Sequence, residues 1–169
     1  MKPYIVISDV DGCLTDGKFV YTVDGKVAKT YGPHDNDGVK LLRKNGIDVQ
    51  FISADKRGFD ITNKRITDMK CNLDCVSETE RGDHLLKYTN YYNVIFFGDG
   101  LGDLAAYLKV RKINPESIML IAPKNARPQV KAQAQFVTEN IGGEGAFLDL
   151  AEWVVNLLDM EKPLYNIEA

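Results

Sequence analysis

Two short acidic runs carry the residues best suited to chemistry: Asp9-Val10-Asp11-Gly12-Cys13-Leu14-Thr15-Asp16-Gly17 and Gly98-Asp99-Gly100-Leu101-Gly102-Asp103-Leu104. Residues two apart on an extended strand face the same way. Asp9 and Asp11 are therefore close, and their like charges repel. A divalent cation relieves that repulsion, and magnesium favours a few carboxylates, waters and phosphate oxygens. Asp9, closing a rigid strand, is placed to attack phosphorus as a carboxylate nucleophile. Asp11, on the turn that follows, is placed to protonate a leaving alcohol and then to activate water. Magnesium offsets the charge between carboxylate and phosphate. Asp99 supplies a third metal ligand. Asp103, one helical turn on, binds a metal water or orients neighbouring Lys and Asp side chains.

Each run has rival readings. A strand end followed by an Asp-Gly turn produces the first run without any chemistry. A calcium loop of the EF-hand type needs a preceding helix and a longer ligand ladder ending in Glu, whereas a strand-like segment precedes these acids. Glycines at 98, 100 and 102 suggest dinucleotide binding, but the spacing is not G-x-G-x-x-G, and Asp99 would push a negative charge at a pyrophosphate.

The elements that must position these acids alternate. Tyr4 to Val10 is apolar and β-branched, as a buried strand is. Lys18 to Tyr31 reads as a hairpin around Asp24-Gly25. Val39 to Asn45 reads as a helix stopped by Gly46, and Ile47 to Ser53 as a second buried strand. There follow a helix over Phe59 to Met69, a strand over Leu73 to Ser77 and a helix from Asp83 to Tyr88. Asn93 to Phe97 is a strand, Leu104 to Val110 a helix, Ser117 to Ala122 a strand and Pro128 to Ala134 a helix. Phe136 to Thr138 is extended, and Ala146 to Leu158 is an amphipathic helix. Strands alternating with helices predict an α/β fold, a doubly wound parallel sheet covered on both faces. Ligands of such sheets bind beyond the carboxyl ends of the strands, where Asp9, Asp11, Asp99 and Asp103 fall.

With 169 residues, 44% hydrophobic and 27% charged, the chain is sized for a single domain, residues 1–169. A net charge of −3 argues against a general nucleic-acid or anionic-membrane binder. No apolar run approaches the roughly 18–20 residues that span a bilayer, and the first residues lack a signal peptide's apolar region. A cytoplasmic protein is expected. Cys13, Cys71 and Cys75 are odd in number and complete no zinc site, so free thiols are expected.

The pairing of D-V-D-G-C-L-T-D-G with G-D-G-L-G-D-L resembles the haloacid dehalogenase superfamily of aspartyl-nucleophile phosphatases, over nearly the whole chain. It is similar in particular to the small branch without a cap domain that contains the 3-deoxy-D-manno-octulosonate (KDO) 8-phosphate phosphatases. Related members act on nonulosonate 9-phosphates. Asp11 to Gly17 leads directly into the hairpin with no cap between. Tyr31 to Val39 (YGPHDNDGV) resembles the branch's D-G-x-G stretch, with Asp35 and Gly38 in place. Ala122 to Ala126 (APKNA) and Thr138 to Ala146 (TENIGGEGA) resemble its two remaining signatures.

The resemblance implies Asp9 as nucleophile and metal ligand, Asp11 as general acid/base binding metal through its carbonyl, and Asp99 as the third metal ligand. It implies Ser53 as the hydroxyl that holds the phosphoryl group, with Gly12, Ala54, Asp55 and Lys56 around the substrate. The substrate implied is a small sugar-acid phosphate. Another phosphorylated metabolite, such as a nucleotide monophosphate, or a catalytically weak regulatory or oligomerising module, is the alternative. The branch has Thr-Gly-Arg or Thr-Gly-Glu where this chain has Ser53-Ala54-Asp55. It also has a lysine at the start of the helix before the fourth strand, where the local pattern here places His84. The cation is expected from His84 first, Lys87 second and Arg81 third. A homotetramer joined through the hairpins is implied, with the tail Lys162 to Ala169 covering a neighbour's site.

Overall fold

The structure, a computed structural model, describes residues 1–161. The tail expected to cover a neighbour's site lies outside the described residues. The order is β1 (Tyr4–Asp9), β2 (Val20–Thr22), β3 (Gly25–Ala28), α1 (His34–Lys44), β4 (Asp48–Ser53), α2 (Phe59–Asp68), β5 (Leu73–Cys75), α3 (Arg81–Tyr88), β6 (Asn93–Phe97), α4 (Leu101–Ile113), β7 (Ile118–Ala122), α5 (Pro128–Gln133), β8 (Phe136–Val137) and α6 (Ala146–Glu161). The main sheet runs β5-β4-β1-β6-β7-β8 with every pair parallel. β2 and β3 form a separate antiparallel hairpin.

Strand alternation sorts the core into two layers. Val6, Phe51, Ile95, Phe97 and Ile121 point to one face, where α1, α2 and α6 close over them through Val39, Leu42, Ile66, Phe147 and Leu150. Ile5, Ile7, Ile52, Val94, Phe96 and Leu120 point to the other, under α3, α4 and α5 through Leu85, Tyr107, Val110 and Val130. Both faces are covered, so the strands read as continuous apolar runs.

From β1 the chain passes outward to β4 and β5, then returns to the other side of β1 as β6. The direction in which successive strands are added reverses between β1 and β6, where a crevice opens at the strand ends. Three helices begin earlier than the sequence suggests. α1 starts at His34 rather than Val39, because His-Asp-Asn-Asp-Gly forms a first helical turn and not a loop. α3 starts at Arg81 rather than Asp83, and α4 starts at Leu101 rather than Leu104. No helix among the described residues is long and apolar enough to cross a membrane.

Candidate active site

Asp9 ends β1 opposite Ile52 of β4, while its neighbour Ser8 pairs with Phe97, the last residue of β6. Asp99 follows two residues beyond Phe97. The acids therefore flank the point where the strand order reverses. After Asp9 the chain turns at once: the Val10 carbonyl accepts from the amides of Cys13 and Leu14 at 3.1 and 2.8 Å. Gly12 stands in this turn at φ +88°, and a Cβ there would run into the Asp99 carboxylate. Both the left-handed backbone and the close approach require glycine.

Two distant loops brace this turn. Asn125 donates to the Gly12 carbonyl at 2.9 Å and accepts from the Gly142 amide at 2.7 Å. The Ala122 to Ala126 and Thr138 to Ala146 stretches thus support the loop after β1. The Gly12 N–H is donated to Thr15 Oγ1 at 3.1 Å. This amide closes the turn.

Oxygens of Asp9, Asp99 and Asp103 all lie within 4.8 Å of one another. Arg81, at the first position of α3, reaches Asp9 Oδ1 at 3.5 Å and bonds Asp103 Oδ1 directly. Asp103 Oδ2 accepts from the amides of Asp99 and Gly100, each at 3.0 Å. Both Asp103 oxygens are thus engaged, and it orients Arg81 and the Asp99 loop. Burial holds the Asp9 carboxyl well above the ordinary range, reinforced by Asp103 and Asp99 against the opposing pull of Arg81. Burial and then Asp103 raise Asp99 to about 7. Arg81 stays charged beyond the ordinary arginine value because Asp9 and Asp103 outweigh its desolvation. The cluster is short of positive charge. Hard oxygen donors opening on a cleft fit a divalent cation.

That cleft, of about 410 Å³, is lined by Asp9, Asp11, Asp99, Arg81, Ala54 and Asp55, with Phe19 and Lys26 from the hairpin and Glu78 opposite. Ser53 ends β4 beside Asp9, buried, its hydroxyl accepting from the Asp55 amide at 3.1 Å. A hydroxyl that accepts can still donate its own proton.

Other expected residues lie elsewhere. His84 does not face the acids. Its Nε2 lies 3.5 Å from Asp74 and its ring packs on Tyr88. Burial first, with Lys87 and Arg81, lowers its pKa against the pull of Asp74, so it is a poor cation. Lys87 and Lys56 do not line the cleft; both charges act on the exposed Glu80. The cation against the acids is Arg81, not His84 or Lys87. α3 begins at the cleft and runs away from it, so one turn along the helix is already too far. Asp55 faces the cleft, yet its carboxylate is held by Lys26 at 2.6 Å and Lys29 at 2.7 Å. Burial would raise its pKa, but the hydrogen bonds from Lys26 and Lys29 prevail and bring it to about 2. It is a lysine partner and not a free substrate ligand. Lys29 itself escaped sequence reading; it is the third lysine, after Lys18 and Lys26, of the segment Lys18 to Tyr31.

No family model matches the chain. The 3-deoxy-D-manno-octulosonate 8-phosphate phosphatase of Haemophilus influenzae is 28% identical over 155 residues, 89% of this chain and 81% of that protein. Its solved cobalt-bound structure superposes with a TM-score of 0.72 at 29% identity, covering 92% of this chain and 88% of that one. The chain belongs to the haloacid dehalogenase superfamily. It falls in the capless branch and is a phosphatase of that type, a phosphoric monoester hydrolase. The corresponding enzyme of Moraxella catarrhalis, solved with magnesium, phosphate and KDO, shares the fold at 20% identity and a TM-score of 0.73, over 94% of this chain and 92% of that one.

Proposed function

We propose that this chain is a magnesium-dependent phosphatase of a small sugar-acid phosphate, such as KDO 8-phosphate or a nonulosonate 9-phosphate, working through an aspartyl-phosphate on Asp9. The observation that carries the reading is the convergence of Asp9 and Asp99 on one point, against Arg81, where the strand order of the parallel sheet reverses.

Asp9 attacks phosphorus with one carboxylate oxygen as the ester oxygen departs. Arg81 offsets charge on Asp9 and on the incoming phosphoryl group, the role of the branch's lysine. Asp11, lining the same cleft, gives its proton to the departing oxygen. It then takes a proton from the water that attacks phosphorus, which frees phosphate and restores Asp9. Ser53 donates its hydroxyl hydrogen to a phosphoryl oxygen. Asp9, Asp99 and the Asp11 carbonyl would hold magnesium, which supplies charge neutralisation between nucleophile and phosphate. Ala54 and Phe19 flank the leaving group.

The hairpin exposes Phe19 at 45%, Val20 and Tyr21 at 54% and Val27 at 47%. An isolated hairpin is marginally stable in water, so pairing of hairpins in a cytoplasmic homotetramer accounts for this surface. The test is phosphate release with magnesium from a panel of sugar-acid phosphates, nucleoside monophosphates and acetyl phosphate, alongside sedimentation. Preference for sugar-acid phosphates by a tetramer is expected. Release that persists in excess chelator would remove the metal from the mechanism.

A further inference from the structure

Lys29 follows β3 at the base of the hairpin, and its side chain is fully buried. Its ammonium lies 2.8 Å from Asp11 Oδ1 and donates to Asp11 Oδ2 at 3.0 Å and to Thr62 Oγ1 at 2.8 Å. The Asp55 carboxylate sits 2.7 Å from the same nitrogen. Asp55 is in turn fixed by Lys26 at 2.6 Å and by the Gly58 amide at 3.1 Å. Gly58 is small because it must be: a Cβ there would meet Asp55 and the stems of Lys26 and Lys29. A buried ammonium with four oxygens around it is a costly arrangement unless the geometry is well satisfied, and here it ties Asp11 of the loop after β1 to Asp55 and Thr62.

Asp11 needs such a partner. It sits on a turn, near Asp9 and Asp99, whose charges would drive its carboxylate out toward solvent. Both oxygens of Asp11 lie within about 3 Å of the ammonium, Oδ2 as its hydrogen-bond acceptor and Oδ1 buried beside it. Holding that carboxyl within reach of the departing ester oxygen is an orientation effect, and small misplacements there are expensive.

We propose that Lys29 is the positioning residue for Asp11: the hairpin carries a buried ammonium that clamps the general acid/base in its working orientation. The proposal rests on the reading of Asp11 given above. Burial would lower the Lys29 pKa, but hydrogen bonds to Asp11 and Asp55 more than reverse this and leave it raised.

The experiment compares leaving groups. Single-turnover phosphorylation is measured at saturating magnesium for wild type, Lys29→Met, Lys29→Arg and Asp11→Asn. One substrate is a sugar phosphate whose alkoxide needs a proton; the other is 2,4-dinitrophenyl phosphate, whose phenolate does not. The ratio of the two rates is internal to each variant and cancels any loss of folded protein. In Lys29→Met the sugar phosphate should lose about 100-fold, the lower end of general-acid effects, and the dinitrophenyl ester less than about fivefold. Lys29→Arg should restore part of the ratio, and calorimetric magnesium affinity should hold in both. An equal loss on both substrates in Lys29→Met, beside a selective loss in Asp11→Asn, would make Lys29 merely structural and overturn the proposal alone. Equal losses in Asp11→Asn would overturn the acid role of Asp11 and the proposal with it.

Discussion

Among the described residues, carboxyls are buried beside Asp99 and at Asp35, and the two places resemble each other until their neighbours are compared. Asp99 and Asp35 are both pushed to about 7, in each case first by burial. Around Asp99 a second and third carboxylate converge, Arg81 is bonded into the cluster, and the whole opens on a cleft. Around Asp35, at the start of α1, the nearest cation is Arg65, 3.9 Å away, and neither carboxyl oxygen accepts a hydrogen bond. A raised carboxyl alone therefore does not mark a site. Convergence of several acids on one point, a fitted cation and access to solvent together do so. Asp35 has only the burial.

The comparison breaks most visibly at the nucleophile. Asp9→Asn keeps the shape of the side chain and removes the attacking charge. Turnover should fall on the order of 10^4-fold or more, as when other covalent nucleophiles are removed, with the circular dichroism spectrum unchanged. A folded Asp9→Asn protein that retains substantial activity would end the aspartyl-phosphate mechanism. Arg81 comes next. Arg81→Ala should cost about 10^2–10^3-fold, the range for losing one preorganised charge at a transition state. It should also lower thermal stability, since Asp103 is left buried without its partner. Arg81→Lys should recover much of both. On the same helix, His84→Ala should stay within about twofold of wild type in turnover, because its half-buried ring packs on Tyr88 and does not face the acids. A pH–rate profile that changed in His84→Ala would return the cationic role to it.

Asp99 sharpens the metal side of the contrast. Asp99→Ala should weaken magnesium binding at least as much as the roughly 10–100-fold typical of outer-shell changes, read by calorimetry. Asp35→Ala should leave that affinity alone. Equal affinity in wild type and Asp99→Ala would place the metal elsewhere.

Asp9 and Asp99 were legible in the sequence because each follows closely on an apolar strand, and strand alternation with helices fixes which end of the sheet they share. The cation was not legible, because the argument turned on where α3 begins. With the helix starting at Asp83, His84 occupies the first turn and points back to the strand ends. The helix in fact starts at Arg81, and a residue three positions further lies about 4.5 Å down the axis, beyond reach for an imidazole. Glu80 and Arg81 carry no capping signature that would have marked the boundary, since Glu80 makes no side-chain cap bond. The clamp at Lys29 was hidden for another reason. It joins the hairpin, the loop after β4 and α2 through side chains only, and no periodicity encodes such a contact.

The smallest expected effect belongs to Asp35 and appears in stability. Its folded-state carboxyl sits at about 7 against an ordinary 3.8, raised by burial and only partly relieved by Arg65 and His34. Between those values the unfolded chain releases a proton that the folded chain retains. Stability should therefore fall as pH rises from about 4 to about 7, and the Asp35 contribution should be flat beyond. Asn is nearly isosteric with the protonated acid and cannot ionise. Asp35→Asn should match wild type near pH 4 and exceed it by about 2–3 kcal/mol near pH 8, less than the full shift implies because Arg65 loses its partner. Denaturant unfolding at several pH values with magnesium present gives the difference directly. Asp9 and Asp99 titrate identically in both proteins and cancel from that difference. Parallel stability curves for wild type and Asp35→Asn would show that Asp35 is ionised in the folded state at neutral pH, and that the 3.9 Å approach of Arg65 is enough to hold its charge.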